Sequence, residues 1–396
     1  MGNQGALSPK TLTTGRLKVD LKKEIQKLNI DKMPLLKLMD LLGKEKATQM
    51  EYKHLYKERR PSWGEISSFG GSWASGANKG GTIVVPSTEA WMYSAGDIIK
   101  CPTDSDVNIY VDSVSQSTYT LTCHTYDDST TIDFSAGTTG ANKILLISNS
   151  FELGSGKGTI KSQQPSESTN YIQIVQHPYG VVKTMQDVEY DAGMSEFKEQ
   201  EQEIFIEHLF SMERLMFFGQ KLKATTGYMD AVYEQFFTGG ANEAITTNVT
   251  TETDLTQAEF GTWINQSIYY AKNPVVFASE RIFEAMSWWL GQKLQTKQDE
   301  TTLGIAVSTY RTQYGDTVKV IPHRELFKNY YNGYAFCLDL ADVRYKFLQG
   351  NDTHLEVGIQ QPGVKQEINE FRTWFGFWMG NEKRHGVLKG VQTISA

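Results

Sequence analysis

Long hydrophobic runs are missing from this chain of 396 residues. No apolar stretch approaches the 18 residues that a membrane-spanning helix needs, and the mean hydropathy is negative. The polar, lysine-rich N-terminus also lacks the apolar core of a signal peptide. The sequence therefore excludes a protein that crosses a membrane with helices.

Cysteine is scarce as well. Its three copies, Cys101, Cys123 and Cys337, form no CxxC pair, and each lies in a run typical of a strand. In such runs a cysteine is most often a small buried hydrophobic residue. We expect no disulfide framework and a reducing compartment.

Recognisable catalytic and ligand-binding motifs are also missing. The seven histidines form no HExxH or HxH pattern, there is no GxSxG, and His208 is expected to be an ordinary core histidine. The glycines of Gly154–Thr159 do not have the spacing of a phosphate loop, and no predicted helix follows them. The carboxylates of Glu199–Glu203 and of Asp127 and Asp128 have no partner at a recognisable spacing. We therefore predict no enzyme activity and no catalytic, cofactor-binding or metal-binding residue, and no cofactor.

Charge is present but unevenly distributed. The formal net charge is −7, yet residues 1–60 carry 14 Lys and Arg against 7 Asp and Glu, and the remainder carries 25 against 39. A basic arm on an acidic body can bind nucleic acid, an anionic membrane or the acidic surface of a sister subunit. The length predicts two or three domains, because a single compact core stops growing well below 396 residues.

The strongest structural prediction is a long helix over Gly193–Gly219. Its interior lacks proline and glycine, Ser195 can cap its start, and acidic residues precede basic ones, as the helix dipole favours. The apolar or bulky stripe consists of Ile204, Phe205, His208, Leu209, Met212, Leu215, Met216 and Gly219. About 25 residues rise roughly 36 Å, so this helix can serve as a spine for neighbouring sheets. The alternative is a long surface helix of an ordinary α+β enzyme.

Before this spine, the pattern changes several times. Residues 1–16 read as a loose arm, Leu17–Leu28 and Asp31–Leu42 as short amphipathic helices, and Ser67–Gly81 as a flexible Gly/Ser-rich hinge. From Thr82 to Ser148 a period of two predicts a β module of about five strands. Tyr171–Tyr190 is strand-like, and Pro178 within it indicates an edge strand or a bend.

After the spine, a mixed region is predicted. Helices are expected over Ala258–Ala271 and Glu280–Leu294 on either side of a buried strand at Asn273–Ser279, and further strands follow to the C-terminus. Aromatic residues are dense in Trp374–Trp378 and at Trp288 and Trp289. Burial in a core or a subunit interface is the commoner fate of such runs, with stacking on a cofactor or nucleobase as the alternative.

The order of these elements resembles that of the major capsid proteins of tailed bacteriophages, the Hong Kong 97-type fold also seen in encapsulins. The segments that carry the resemblance are those similar to the family's extended-loop strand and spine helix, to the strands and helix of its axial domain, and to its closing peripheral strand. They are Asn170–Gly219, Asn273–Leu290, Arg311–Leu326, Gly333–Leu348 and Gly380–Ile394.

The resemblance implies an α+β fold divided along the chain. Its parts would be an N-terminal arm and hinge, an extended β loop with an inserted small β module, a spine helix of the peripheral domain, an axial domain, and returning peripheral strands. In order, these are residues 1–81, 82–192 with the module at about 97–148, 193–227, 228–350 and 351–396.

The resemblance also implies a structural function, a subunit that self-assembles into hexamers and pentamers of an icosahedral phage head. The implied partners are copies of itself, portal, scaffolding and decoration proteins, and packaged double-stranded DNA in weak non-specific contact, with no membrane. The implied location is the virion, assembled in the host cytoplasm. Nothing resembles a long charged scaffolding prefix, so scaffolding would come from a separate protein or from residues 1–60. The alternatives are an encapsulin-like compartment shell and an unrelated α+β carbohydrate-active or binding protein.

Overall fold

The computed structural model describes residues 33–72, 80–101, 108–126, 143–156, 158, 160–186, 196–224, 233–290, 308–312, 315–324 and 327–395. The predicted arm over 1–16 and the predicted helix over Leu17–Leu28 lie outside these residues. The chain forms two compact units, one of residues 1–54 and 168–396 and one of residues 55–167.

Four of the described helices fall on segments that the sequence predicted to be helical, whereas two short ones, at Lys183–Gln186 and Ala241–Ala244, were not predicted. They are α1 Pro34–Leu42, α2 Lys183–Gln186, α3 Glu196–Phe218, α4 Ala241–Ala244, α5 Gln257–Ile268 and α6 Glu280–Leu290. The predicted spine is confirmed as α3, although it ends at Phe218 and β structure already occupies Leu222–Ala224. Of the described helices, none has both the length and the apolar character needed to cross a bilayer.

The strands make up most of the remaining regular structure. Numbered in chain order, they are β1 Lys44–Ala47, β2 Glu51–Tyr56, β3 Trp63–Glu65, β4 Ser68–Ser72, β5 Gly80–Val84, β6 Asp97–Lys100, β7 Asn108–Ser115, β8 Thr120–Thr125, β9 Lys143–Asn149, β10 Ser166–Tyr171, β11 Gln173–Val182, β12 Leu222–Ala224, β13 Gln235–Phe237, β14 Val249–Thr251, β15 Asp254–Leu255, β16 Pro274–Ala278, β17 Ser308–Arg311, β18 Thr317–Pro322, β19 Ala335–Asp339, β20 Val343–Leu348, β21 His354–Glu356, β22 Gln366–Met379, β23 Gly386–Lys389 and β24 Thr393–Ile394. The pairs β2–β10, β12–β13 and β15–β24 form two-stranded sheets.

The first unit contains the sheet on which the spine helix α3 packs. Its strand order is β1-β20-β22-β11, and β21 pairs with β22 beside this path. β11 and β22 form a ten-residue antiparallel ladder, and on β11 the buried residues alternate as Val175, Tyr179 and Val181. β11 ends the strand order, where Pro178 is tolerated because an edge strand need not donate every N–H. The predicted edge position is therefore confirmed, and the ladder continues through Pro178 without a break. The predicted strand over Tyr171–Tyr190 is wrong at its C-terminal end, because Lys183–Gln186 form α2. Residues 187–190 lie outside the described residues.

A second sheet of the same unit has six strands in the order β14-β23-β19-β16-β18-β17. β16 lies inside it, parallel to β18 and antiparallel to β19, and four of its five residues are buried. Helix α5 begins with a capping box in which Thr256 and Glu259 satisfy each other's backbone N–H groups. Phe260 and Trp263 of α5 are buried with β16 and β19 residues in one hydrophobic cluster.

The second unit is a seven-stranded antiparallel sheet in the order β3-β9-β6-β7-β8-β5-β4. Its core includes Ile83, Ile99, Ile109, Leu121 and Ile144, which are all fully buried. The predicted flexible hinge over Ser67–Gly81 is wrong where β4 and β5 pair, from Ser68↔Val84 to Ser72↔Gly80. Glycine favours loops on average, but cross-strand hydrogen bonds and the neighbouring β8 hold this ribbon in the sheet.

Candidate functional site

The spine helix α3 presents a buried face with two polar side chains among its apolar ones. Its buried residues are His208, Met212, Glu213, Met216 and Phe217. The centre of the predicted stripe is therefore confirmed, whereas Phe205 at its edge is 39% exposed. Glu213 and Phe217 were not predicted on this face.

His208 is a satisfied core histidine, as expected. Its Nε2 lies 2.8 Å from Thr373 Oγ1, and its Nδ1 lies 2.9 Å from His177 Nδ1 on β11. Because the Thr373 hydroxyl donates to Thr353 Oγ1, it accepts from His208 Nε2. Burial, together with the neighbouring His177, lowers the pKa of His208 to about 4. This neutral pair joins the spine to the β11–β22 ladder and has no feature of a catalytic base.

Glu213 is the main polar residue that the sequence did not reveal. Its side chain is fully buried, and its Oε1 accepts from Leu35 N at 3.0 Å and from His323 Nε2 at 3.0 Å. Its Oε2 accepts from Leu36 N at 3.1 Å. Helix α1 has no side-chain cap from its own N-cap residue Met33, so Glu213 satisfies N–H groups that the helix leaves free. The sequence contained one signal for this residue, because Glu213 lies between Met212 and Met216, two members of the predicted apolar stripe.

A second buried network lies in the six-stranded sheet. Asp339 is fully buried and accepts from the backbone N–H groups of Lys272, Asn273 and Ala341 at 2.9–3.0 Å. Its own N–H donates to His385 Nδ1 at 3.1 Å, and burial lowers the pKa of His385 to about 4. Both groups tie loops to strands, which is a structural use of ionisable residues.

The described residues hold no group of three or more His, Cys, Asp or Glu side chains arranged to bind a metal ion. The acidic run Glu199–Glu203 is half-buried to exposed along α3, and the pair at 127–128 lies outside the described residues. All three cysteines are buried and free, and burial raises the pKa of Cys101 and of Cys337 to about 12. Such thiols are poor nucleophiles because the thiolate is strongly disfavoured.

The aromatic run at Trp374–Trp378 is divided between two environments. Phe375 and Phe377 are buried in the core with α3, whereas Trp374 stacks on His354 with ring centroids 5.8 Å apart. At the other predicted aromatic pair, Trp288 is 60% exposed. The run on β22 is thus mainly core.

Exposed apolar side chains gather at one end of the β11–β22 ladder. The ladder register pairs Val182 with Gln366, Lys183 N donates to Lys365 O, and Ile359 N donates to Ile368 O, so these segments meet at the same end. We call this end the ribbon tip. Its members, all 40–66% exposed, are Val182, Met185, Val357, Ile359 and Val364. Exposed apolar side chains that lie together are typical of an interaction surface.

Comparison with known proteins adds an independent observation. A family model described as SU10 major capsid protein matches residues 6–392. The major capsid protein of Pseudomonas phage PaMx41 is 25% identical over 239 residues, which are 56% of this chain and 56% of that protein. The aligned part of the chain thus spans little more than half the length of that curated relative.

Solved structures show more distant similarity. The capsid of a native GTA particle has a TM-score of 0.44 at 8% identity, covering 95% of this chain and 96% of that chain. The holo-SrpI encapsulin complex from Synechococcus elongatus PCC 7942 has a TM-score of 0.36 at 11% identity, covering 59% of this chain and 80% of that chain. Neither similarity is close enough to assign a function.

Proposed function

This chain belongs to the family of the SU10 major capsid protein, and from that premise we propose that it is the shell-forming subunit of a tailed-phage head. It would assemble into hexamers and pentamers around double-stranded DNA, with the Hong Kong 97-type fold. The observation that carries the proposal is the family match over residues 6–392, which leaves almost no part of the chain outside it.

The ribbon tip supports this role. Burial of its five exposed apolar side chains against a neighbouring subunit would contribute favourable free energy to assembly. Capsid rings are built from heterologous contacts that close by rotation, which need a surface that differs from the one it meets. We propose that the ribbon tip is one such surface.

Within the described residues, little would favour catalysis. The buried histidines and carboxylates bind backbone and neighbouring side chains, and the thiols are buried. We therefore propose a structural protein without enzyme activity or cofactor. We also propose the expected division into arm, extended loop, spine, axial and peripheral parts, except that residues 55–81 are assigned to the β unit of residues 55–167. The proposed partners are portal, scaffolding and decoration proteins and weakly bound DNA.

The first experiment is assembly of the expressed full-length chain. Size-exclusion chromatography and electron microscopy should show rings, shells or tubes of at least several hundred kilodaltons, well above the 44.7 kDa chain. A stable monodisperse monomer at high concentration would contradict the proposal. Two findings together would favour the encapsulin-like alternative. Shells purified from cells would contain protein cargo, and no viral packaging genes would lie beside the gene for this chain.

The second experiment tests the ribbon tip. Val357, which is 66% exposed, is replaced by aspartate in one variant and by the near-isosteric threonine in another. Val357→Asp should fold with an unchanged circular dichroism spectrum but assemble poorly, because a charge is costly to bury in an apolar contact. Val357→Thr should assemble almost normally. Equal assembly of the two variants would show that the ribbon tip stays exposed in the particle.

A further inference from the structure

A polar pocket lies beside strands β9 and β6 of the second unit. Its volume is about 430 Å³, and its walls come from the segment that leads into β3, the start of β6 and the end of β9. Because its polar lining side chains need hydrogen-bond partners, the pocket is suited to a polar ligand. They are Arg59, Arg60, Ser62, Asp97, Ser148 and Asn149.

A β-bulge shapes one wall of this pocket. In the pairing of β6 with β9, Ile98 faces Ser148 and Ile99 faces Leu146, so Ile147 is an extra residue in that ladder. The extra residue of a bulge lacks a cross-strand partner, and the bend that it causes redirects neighbouring side chains. Ile147 is 47% exposed and lines the pocket together with Ser148. Regular pairing is thus interrupted at the wall of the pocket.

The hydrogen bonding of Arg60 is incomplete. Its Nε and Nη2 atoms are buried and have no hydrogen-bond partner within the described part of the chain. These two nitrogens form one edge of the guanidinium group, the edge that can hold an oxyanion through two parallel N–H···O bonds. Since 32% of the Arg60 side chain is exposed, a rotation of the guanidinium group brings this edge to the pocket. A ligand that supplies acceptors there removes an unfavourable state of the protein.

The carboxylate of Asp97 does not complete this bonding. Its Oδ2 lies 3.7 Å from Arg60 Nη2, which is beyond hydrogen-bond distance. The same oxygen accepts from Lys161 Nζ at 2.6 Å and from Ser94 N at 2.9 Å. Asp97 is therefore already bonded and neutralised by Lys161, and Arg60 keeps its donors for another acceptor.

The charges around the pocket leave a positive excess. Arg59 and Arg60 line it, and Lys161 offsets Asp97. Residues 57–58, which precede the two arginines, carry one charge of each sign. Three positive charges against one negative charge give a local net charge of +2 from Arg59, Arg60, Lys161 and Asp97. A concave site with this excess attracts anions.

We propose that this pocket binds a phosphate group, either as inorganic phosphate or as part of a nucleic-acid backbone. Arg60 binds two of its oxygens through Nε and Nη2, and Arg59 and the hydroxyls of Ser62 and Ser148 donate to the others. A carboxylate has only two oxygens and leaves some of these donors unused, whereas a tetrahedral phosphate can accept from all of them. Such binding goes beyond the proposed function, because it needs no assembled shell.

Isothermal titration of the full-length chain with inorganic phosphate, at an ionic strength held constant with chloride, tests the proposal. The test variant Arg60→Lys keeps the positive charge but loses the planar fork. The matched control Lys57→Gln removes an exposed positive charge three positions away. Phosphate binding should weaken about tenfold or more in Arg60→Lys, the loss of one charge-assisted hydrogen bond, and change less than about twofold in the control.

A second variant serves if Arg60→Lys does not fold, as judged by circular dichroism. Ser148→Ala leaves every charge in place and removes one donor, so it should weaken phosphate binding by about threefold. A parallel titration uses a short DNA duplex without terminal phosphates. If Arg60→Lys weakens binding of the duplex as well, the pocket takes backbone phosphates, and if it weakens only inorganic phosphate, the pocket takes the free ion.

Three outcomes would overturn the proposal. Absence of phosphate and duplex binding by the unchanged chain would show that the pocket holds no phosphate group. Equal affinities of Arg60→Lys and Lys57→Gln would show a diffuse attraction without a defined site. Acetate that binds as tightly as phosphate, with the same dependence on Arg60, would show a site for carboxylates.

Discussion

Glu213 offers the sharpest test of how this fold is held together. Its carboxylate accepts three hydrogen bonds while fully buried, two from the start of α1 and one from His323. In Glu213→Gln the side chain keeps its shape, but an amide nitrogen replaces one accepting oxygen. At least one donor then faces another donor inside the core.

The magnitude follows from these contacts. Losing one charge-assisted hydrogen bond with its partner left buried costs about 1.5–3 kcal/mol, and the two remaining bonds become neutral and weaker. We therefore expect a loss of about 3 kcal/mol, which lowers the melting temperature by roughly 5–10 °C in a unit of this size. The matched control is Glu207→Gln on the same helix, whose pair with Arg214 is exposed and worth less than about 1 kcal/mol.

Two measurements check this prediction with both variants in the same assembly state. Thermal unfolding followed by circular dichroism should separate Glu213→Gln from Glu207→Gln. Hydrogen exchange should show faster exchange over residues 33–42 in Glu213→Gln alone, because the amides of Leu35 and Leu36 lose their acceptor. If the two variants melt together and exchange equally, the buried carboxylate does not hold α1 on α3 and the reasoning fails.

Three further predictions follow from the same structure. Leu209→Pro in the interior of α3 should cost about 3 kcal/mol or more, while an unchanged melting temperature relative to Leu209→Ala would contradict an interior helical position. Since the folded-state pKa of His208 lies below its usual value of about 6.5, the unfolded chain binds more protons between pH 6.5 and pH 4. The free energy of unfolding should therefore decrease by up to about 3 kcal/mol from this residue as the pH falls from 6.5 to 4. This decrease should be smaller in His208→Gln than in His124→Gln, a control at an exposed site. Identical pH profiles of the two variants would refute the prediction. Replacing residues 57–165 by a short Gly/Ser linker should leave the helical circular dichroism of the other unit intact but weaken assembly, whereas aggregation of the whole protein would show that the two units fold together.

Local patterns of the sequence determined the elements of this fold. The apolar spacing and charge order predicted α3 to within a few residues, and the helix predicted over Ala258–Ala271 is α5. Alternation of apolar and polar residues predicted the strands, and the order of all these elements was sufficient to recognise the family, a prediction confirmed by the family match. Each of these signals lies within one turn or a few residues, which is why the sequence shows it directly.

Only the tertiary structure decided which polar groups lie inside and what they bind. Glu213 and Leu35 are 178 positions apart, and no periodicity relates a carboxylate on one helix to the free N–H groups of another. The strands β4 and β5 likewise contradict the local loop preference of their glycines, because β4 pairs with β5 and β5 pairs with β8. Such contacts depend on how distant segments pack, since the cost of burying a polar group is met only by a partner that the fold brings to it.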